Sequence, residues 1–216
     1  MEINKYIEHT LLKQDAKKED FIKLFDEAIE NKFFGVCVNP NYVKLAKDYL
    51  KHSDVKVVTV IGFPLGATTT SSKVFETKEA VENGADEIDM VINVSSIKDG
   101  NFEFAKNDIN EVKKACGDKN LKVIIETDLL TNEEIVSACK CAIEGKADFV
   151  KTSTGFVKNG VGAKVEDVDL MYKTVSPYGL KVKASGGIKD KQKALALIEA
   201  GAARLGTSSG VAIIKG

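Results

Sequence analysis

Tryptophan is absent from the sequence, proline occurs three times, and histidine only twice, at His9 and His52. The four cysteines, Cys37, Cys116, Cys139 and Cys141, contain no Cys-x-x-Cys pair. So few imidazole and thiolate ligands make a zinc centre unexpected, and no metal is assigned. Cys139 shares a helical stripe with Ile135, Ala138, Ala142 and Ile143 and reads as a small buried hydrophobe, whereas Cys141 falls off that stripe. No apolar run approaches the roughly 20 residues that span a bilayer. The opening Met-Glu-Ile-Asn-Lys-Tyr lacks the character of a secretion signal. A soluble cytoplasmic protein with reduced thiols is the expectation, with no membrane partner. Charge of one sign is lacking too: 31 basic against 32 acidic residues leave −1, which argues against nucleic acid as a partner. A bound phosphate would need local donors.

What the chain does have is a repeated alternation. Its 216 residues, 44% hydrophobic, suffice for one well-cored domain over 1–216, and no linker or composition break divides it. Short apolar runs begin near Ile7, Phe33, Val55, Glu87, Leu121, Phe149, Leu180 and Arg204, and amphipathic helical patterns separate them. Val55 to Ile61 is β-branched and reads as a strand buried on both faces. Thr131 with Glu134 forms a capping-box signature, and Asp190 caps the next helix. Four helix ends share an apolar residue and Glu: Ile29-Glu30, Val81-Glu82, Ile143-Glu144 and Ile198-Glu199. The last three continue into Gly84, Gly145 and Gly201, which suits a left-handed position after the helix. Eight units of about 27 residues describe a small (β/α)8 TIM barrel. An open doubly wound sheet is the alternative, but no Gly-rich fingerprint follows the first strand.

In such a barrel the active site lies at the C-terminal ends of the strands. Lys151 ends one apolar run, Lys183 lies at the end of the next, and Asp89 interrupts a third between Ile88 and Met90. If the three meet, two facing lysines repel, which favours a neutral amine able to attack a carbonyl, and the aspartate can carry protons. A satisfied internal ion pair is the alternative role for Asp89. Glu126 and Asp128 are candidates to hold either lysine. The turns Ser185-Gly186-Gly187 and Gly206-Thr207-Ser208-Ser209-Gly210 follow the last two strands, where many barrels bind phosphate. Cys37 follows an apolar run near the mouth and is expected to pack there.

At this point the residues identify a resemblance. His9 to Lys13 reads His-Thr-Leu-Leu-Lys, Val36 to Pro40 reads Val-Cys-Val-Asn-Pro, and Val60 to Gly66 reads Val-Ile-Gly-Phe-Pro-Leu-Gly. Ala85 to Asn93, Lys122 to Thr127, Phe149 to Phe156, Val182 to Ile188 and Gly206 to Gly210 extend the match nearly end to end. Together these segments resemble the 2-deoxyribose-5-phosphate aldolase family of class I aldolases. The resemblance implies Lys151 as the Schiff-base lysine, Lys183 as the second lysine that depresses its pKa, and Asp89 as the proton carrier through a water. It implies a sugar-phosphate substrate whose phosphate is surrounded by Thr154, Gly155, Gly186, Gly187, Gly206, Ser208 and Ser209, and no cofactor. A Schiff-base aldolase for another sugar phosphate, or a non-catalytic sugar-phosphate binder, are the alternatives. Many such barrels associate, so a homo-oligomer, dimer or tetramer, is compatible, although no exposed stripe identifies an interface. Three departures stand out. Glu8 replaces the usual Asp; Phe156 stands where some members carry a lysine, for which Lys158 or Lys189 could compensate; and the residues end at Gly216 without a tyrosine-bearing tail.

Overall fold

The computed structural model describes residues 2–216. Eight strands, β1 (Ile7–Leu11), β2 (Gly35–Val38), β3 (Lys56–Ile61), β4 (Glu87–Val91), β5 (Asn120–Ile124), β6 (Phe149–Lys151), β7 (Lys181–Ser185) and β8 (Ala202–Thr207), form a closed barrel in chain order. All neighbouring pairs are parallel, and β1 closes the sheet by pairing with both β2 and β8. This is the (β/α)8 architecture the alternation predicts. The helices are α1 (Lys18–Glu30), α2 (Val43–Leu50), α3 (Thr70–Glu82), α4 (Val94–Lys98), α5 (Phe102–Cys116), α6 (Asn132–Glu144), α7 (Val165–Val175), α8 (Lys191–Glu199) and α9 (Gly210–Lys215). Among the described residues no helix is long and apolar enough to cross a membrane.

The strands are buried on both faces, but the two faces differ in chemistry. In β4, Ile88 and Met90 join the main apolar core, while Glu87 and Asp89 on the alternate face are also buried. The inward layer is divided around the barrel. Cys37, Val58 and Val60, from β2 and β3, form a separate apolar cluster with Leu12 and Phe63 packed on it. The side chains from β1, β4, β5, β6 and β7 include Glu8, Glu87, Asp89, Lys122, Lys151 and Lys183, all buried. One wall of the barrel is hydrocarbon, and the charged groups gather on the other side, with Phe149 beside Lys122 among them.

The helix ends follow the expected grammar with one shift. Thr131 and Glu134 form the reciprocal capping box, and the Asp190 carboxylate accepts from the Lys193 amide. Gly84 and Gly201 take positive φ, as expected, but Gly145 does not; there the left-handed residue is Lys146, and after α1 it is Lys32. Gly145 is required for packing instead: a β-carbon there would lie 2.6 Å from Ile109 Cγ2 of α5. The sequence pattern does not reveal α4, which is only five residues long and buries just Ser96 and Ile97. Its start is set by Asn93, whose side chain accepts from the Ser96 amide at 3.0 Å. Cys141, off the apolar stripe by spacing, is nonetheless buried, with its thiol against the Phe102 carbonyl at the start of α5.

A further buried ion pair lies outside the barrel. Lys73 of α3 and Asp108 of α5 are both buried, with Nζ and Oδ2 2.5 Å apart. Lys73 also donates to the Val91 carbonyl at the end of β4, and Thr70 donates to the other Asp108 oxygen. The pair therefore ties two helices to the strand that carries Asp89. Removing one partner of a dry ion pair strands the other, at about 3–5 kcal/mol, whereas replacing both by apolar groups is often neutral. Lys73→Met is accordingly expected to lower the unfolding free energy by that amount, and Lys73→Met with Asp108→Leu to recover most of it. Equal losses in both variants, measured by urea denaturation, would show that the charges do not act as a pair.

Candidate active site

Asp89 is the centre of the ionic layer. It points into the barrel because β4 alternates and its neighbours Ile88 and Met90 take the outer face. Lys122 Nζ lies 2.9 Å from Asp89 Oδ1. Lys151 and Lys183 both donate to Oδ2, at 2.9 and 2.6 Å. Lys151 and Lys183 are direct register partners on β6 and β7. The facing lysines are thus bridged by one carboxylate oxygen. Glu8 from β1 accepts a hydrogen bond from Lys183, lies 3.6 Å from Lys122, and approaches Arg204 Nε at 3.9 Å. Glu87 holds Lys122 at 2.6 Å and accepts from Asn120. The longer Glu8 side chain, flagged as a departure, therefore contacts three cations.

Burial and charge oppose each other here, and charge prevails. Burial would raise the Asp89 carboxyl, but Lys122, Lys151 and Lys183 hold it well below the usual carboxylate range. Burial would lower Lys183, but Asp89 and Glu8 hold it above the usual lysine value. Burial likewise opposes Lys122, and Asp89 with Glu8 raises it. Asp89 is thus a fixed anion between two fixed cations and Lys151.

Depth distinguishes the lysines. β6 is three residues long and ends at Lys151, whereas β5 and β7 each continue two residues past Lys122 and Lys183. Lys151 consequently reaches the floor of an open cavity of about 330 Å³ that neither Lys122 nor Lys183 lines. Thr154, Gly155, Gly186, Gly187, Gly206, Ser208 and Ser209 all line the same cavity, so the turns after β6, β7 and β8 converge above Lys151. Lys13 and Lys189 are the other cations on its wall, and Phe156 contributes an aromatic lip packed edge-on against Phe63 at 5.2 Å. Lys158, the other candidate to compensate for Phe156, does not line it.

Several assignments need refinement. Glu126 and Asp128 do not hold a lysine. β5 ends at Ile124, Glu126 turns into the left-handed region, and its carboxylate accepts from both the amide and the hydroxyl of Thr154. Asp128 accepts from the Val161 and Gly162 amides. Both acids organise the β6–α7 loop, and both Thr154 donors are already committed to Glu126. Gly206 is buried, and a β-carbon there would come within 3.1 Å of Lys183 Cε; its missing side chain makes room for that lysine. Cys37 packs against the charged cluster as a fully buried group, and burial pushes its thiol up. Lys122, Glu87 and Arg204 were missed as members of the cluster. Strand parity with Asp89 could have found Glu87, while Lys122 joins them only through the folded register of β4 and β5.

Comparisons with known proteins identify the family. Residues 4–216 match the model of the DeoC/LacD family aldolase. The chain is 60% identical to a deoxyribose-phosphate aldolase of Thermococcus gammatolerans, across all of this chain and 96% of that one. It is 58% identical to a protein of the same name from Brevibacillus brevis, again over all of this chain and 96% of the other. The solved deoxyribose phosphate aldolase of Aeropyrum pernix, described as a tetramer, superposes with a TM-score of 0.90 at 30% identity, covering 99% of this chain and 89% of that one. A chain matched over nearly its whole length by the family model, and by relatives this similar, belongs to the DeoC/LacD family of aldolases.

Proposed function

We propose that this aldolase reversibly cleaves 2-deoxy-D-ribose 5-phosphate to D-glyceraldehyde 3-phosphate and acetaldehyde, through a Schiff base on Lys151. The observation that carries the reading is that, of the three lysines on Asp89, only Lys151 lines the cavity. The substrate follows from the names of the close relatives and from the glycine and serine turns around the opening. A dimeric or tetrameric assembly fits the same reading, supported by the tetrameric Aeropyrum protein.

The reaction needs an amine nucleophile within reach of the substrate. Glu8, Glu87 and Asp89 face four cationic side chains, Lys122, Lys151, Lys183 and Arg204. Lys122 and Lys183 are held as cations by Asp89 and Glu8, and Lys151 is the one of the three that lines the cavity, so the nucleophilic role is assigned to it. That amine adds to C1 of the open-chain sugar. The carbinolamine oxygen is protonated and leaves as water, giving an iminium. The iminium takes up the electrons of the C2–C3 bond as the C3 hydroxyl gives up its proton, and glyceraldehyde phosphate departs. Protonation of the remaining enamine at C2 and hydrolysis release acetaldehyde and restore the amine. Asp89, held ionised beside Lys151, accepts and returns these protons through a water. Gly155, Gly186, Gly187, Ser208 and Ser209, with Lys189 on the wall, are the groups assigned to the phosphate.

Borohydride added with substrate is expected to leave a reduced adduct that peptide mass analysis maps to Lys151; an adduct confined to any other lysine would sink the mechanism. Lys151→Ala is expected to lower turnover by at least about a thousandfold with the melting temperature nearly unchanged.

The charge cluster also fixes a pH dependence of stability. The Asp89 carboxyl is depressed in the folded state, so its contribution is present above its unfolded value near ~3.9 and is lost as pH falls through the folded value. Lys183 is raised, so its contribution is full below its unfolded value near ~10.4 and disappears as pH climbs past the folded one. Between these limits Asp89→Asn is expected to destabilise by about 3–5 kcal/mol, because it removes the buried anion on which Lys122, Lys151 and Lys183 converge. Below about pH 4 the gap between variant and parent should narrow, since the unfolded parent takes up a proton at Asp89 that the folded parent does not, and its stability falls accordingly. Guanidinium titrations at pH 7 and pH 3 measure it, and a gap of constant size would refute the assigned direction.

A further inference from the structure

His9 is buried, takes no part in the chemistry above, and lies on β1 as the register partner of Thr207 on β8. Its Nε2 is 2.8 Å from a Glu27 carboxylate oxygen on α1. A carboxylate only accepts, so the hydrogen lies on Nε2, and Nδ1 is left as the opposite edge of the ring. That edge is buried without a hydrogen-bond partner, and it faces Gly210. A β-carbon on Gly210 would lie 3.0 Å from His9 Nδ1, 3.0 Å from Phe33 Cζ and 3.1 Å from Ile7 Cγ2. Gly210 is thus seated on a platform of three side chains, and the His9 ring is tilted at 58° to that of Phe33 with centroids 5.2 Å apart.

The seat matters because the turn before it has open space on both sides. Ser208 and Ser209 line the active-site cavity, and they also line a neighbouring groove of about 750 Å³ bounded by His9, Glu27 and α9. A turn that forms the wall between two openings is not wedged in place from either face. It is held at its ends. Upstream, the Thr207 hydroxyl donates to the Ile188 carbonyl and accepts from the Ser209 amide. Downstream, the anchor is Gly210 on its platform.

We infer that His9, oriented by Glu27, is a positioning residue for substrate phosphate recognition: it fixes the height of the Ser208–Ser209 turn above the cavity. The inference rests on the reading that this turn holds the phosphate. Its signature is selective. Displacing the turn weakens contacts made to the phosphate and leaves Lys151, Asp89 and Lys183 in place, so a phosphorylated sugar suffers and the same sugar without phosphate does not.

The experiment compares kcat/KM for 2-deoxyribose 5-phosphate with kcat/KM for 2-deoxyribose. In His9→Ala and in Glu27→Ala, the ratio of the two is expected to fall about tenfold, the scale of one hydrogen bond to a charged group. The value for 2-deoxyribose should stay within about twofold of the parent, since the reacting groups are untouched. Glu27→Gln keeps an acceptor for Nε2–H and is expected to retain the parent ratio. Equal losses on both sugars would mean a general structural role and would overturn the proposal, as would an unchanged ratio. Ser208→Ala combined with Ser209→Ala separates the two levels of the argument. If that variant leaves the ratio unchanged, the phosphate reading of the turn fails and the His9 proposal with it. If it lowers the ratio and His9→Ala does not, the His9 proposal alone fails.

Discussion

A single buried carboxylate, Asp89, accepts from three lysines on three successive strands, and the interior of this barrel depends on it. Taking so many charges out of water is unfavourable unless each is paired at close range. The pairing holds only if β4, β5, β6 and β7 keep their registers, because a one-residue slip would send a lysine to the outer, apolar face. Glu8 extends the same constraint to β1, across the seam where β8 closes the sheet. The ionic layer therefore specifies barrel closure as well as the groups available for chemistry. The Lys73–Asp108 pair buttresses it from outside by fixing the end of β4.

The apolar sector completes this design. Cys37, Val58 and Val60 present hydrocarbon to the charged groups and keep that side free of competing donors. Unpaired charge cannot be relieved there, so it is relieved by the partners across the barrel or by the open cavity. Of the three lysines on Asp89 only Lys151 has access to the cavity, and β6 ends there where β5 and β7 continue. Three similar side chains on neighbouring strands become chemically different through depth.

The alternation of eight apolar runs with helices made the barrel legible, since buried parallel strands and amphipathic helices leave different periods in a sequence. The caps at Thr131 and Asp190 were legible for the same local reason. Lys151, Lys183 and Asp89 could be picked out because each ends or interrupts an apolar run. Lys122 could not be seen so easily: between Leu121 and Val123 it looks like the solvent face of an alternating strand, and only the barrel turns that face inward. Glu126 misled in the opposite way. It follows β5 directly, but a left-handed backbone swings its carboxylate onto Thr154, and the sequence carries no marker for that turn. Lys73 and Asp108 were invisible because the buried face of α3 is Lys73, Thr77 and Ala80, which lacks the apolar stripe that marks a packed helix.

The segment from Gly206 to Gly210 shows how a motif that reads as one unit divides when it folds. Its composition suggests a phosphate loop throughout, with glycines admitting the anion and hydroxyls binding it. In the barrel only Ser208 and Ser209 are left in the open, between the cavity and the neighbouring groove. Gly206 lacks a side chain because Lys183 and Ser185 fill the space, so its constraint comes from the charge cluster below. Thr207 uses its hydroxyl to bind Ile188 and the Ser209 amide, which fixes the direction of the turn. Gly210 is small because His9, Phe33 and Ile7 leave no room. Each residue answers to a different neighbour, and the outer ones impose the geometry that the two serines present. The serine turn is therefore linked, through Gly206, to the lysine beneath it, and through Gly210, to His9 on the neighbouring strand.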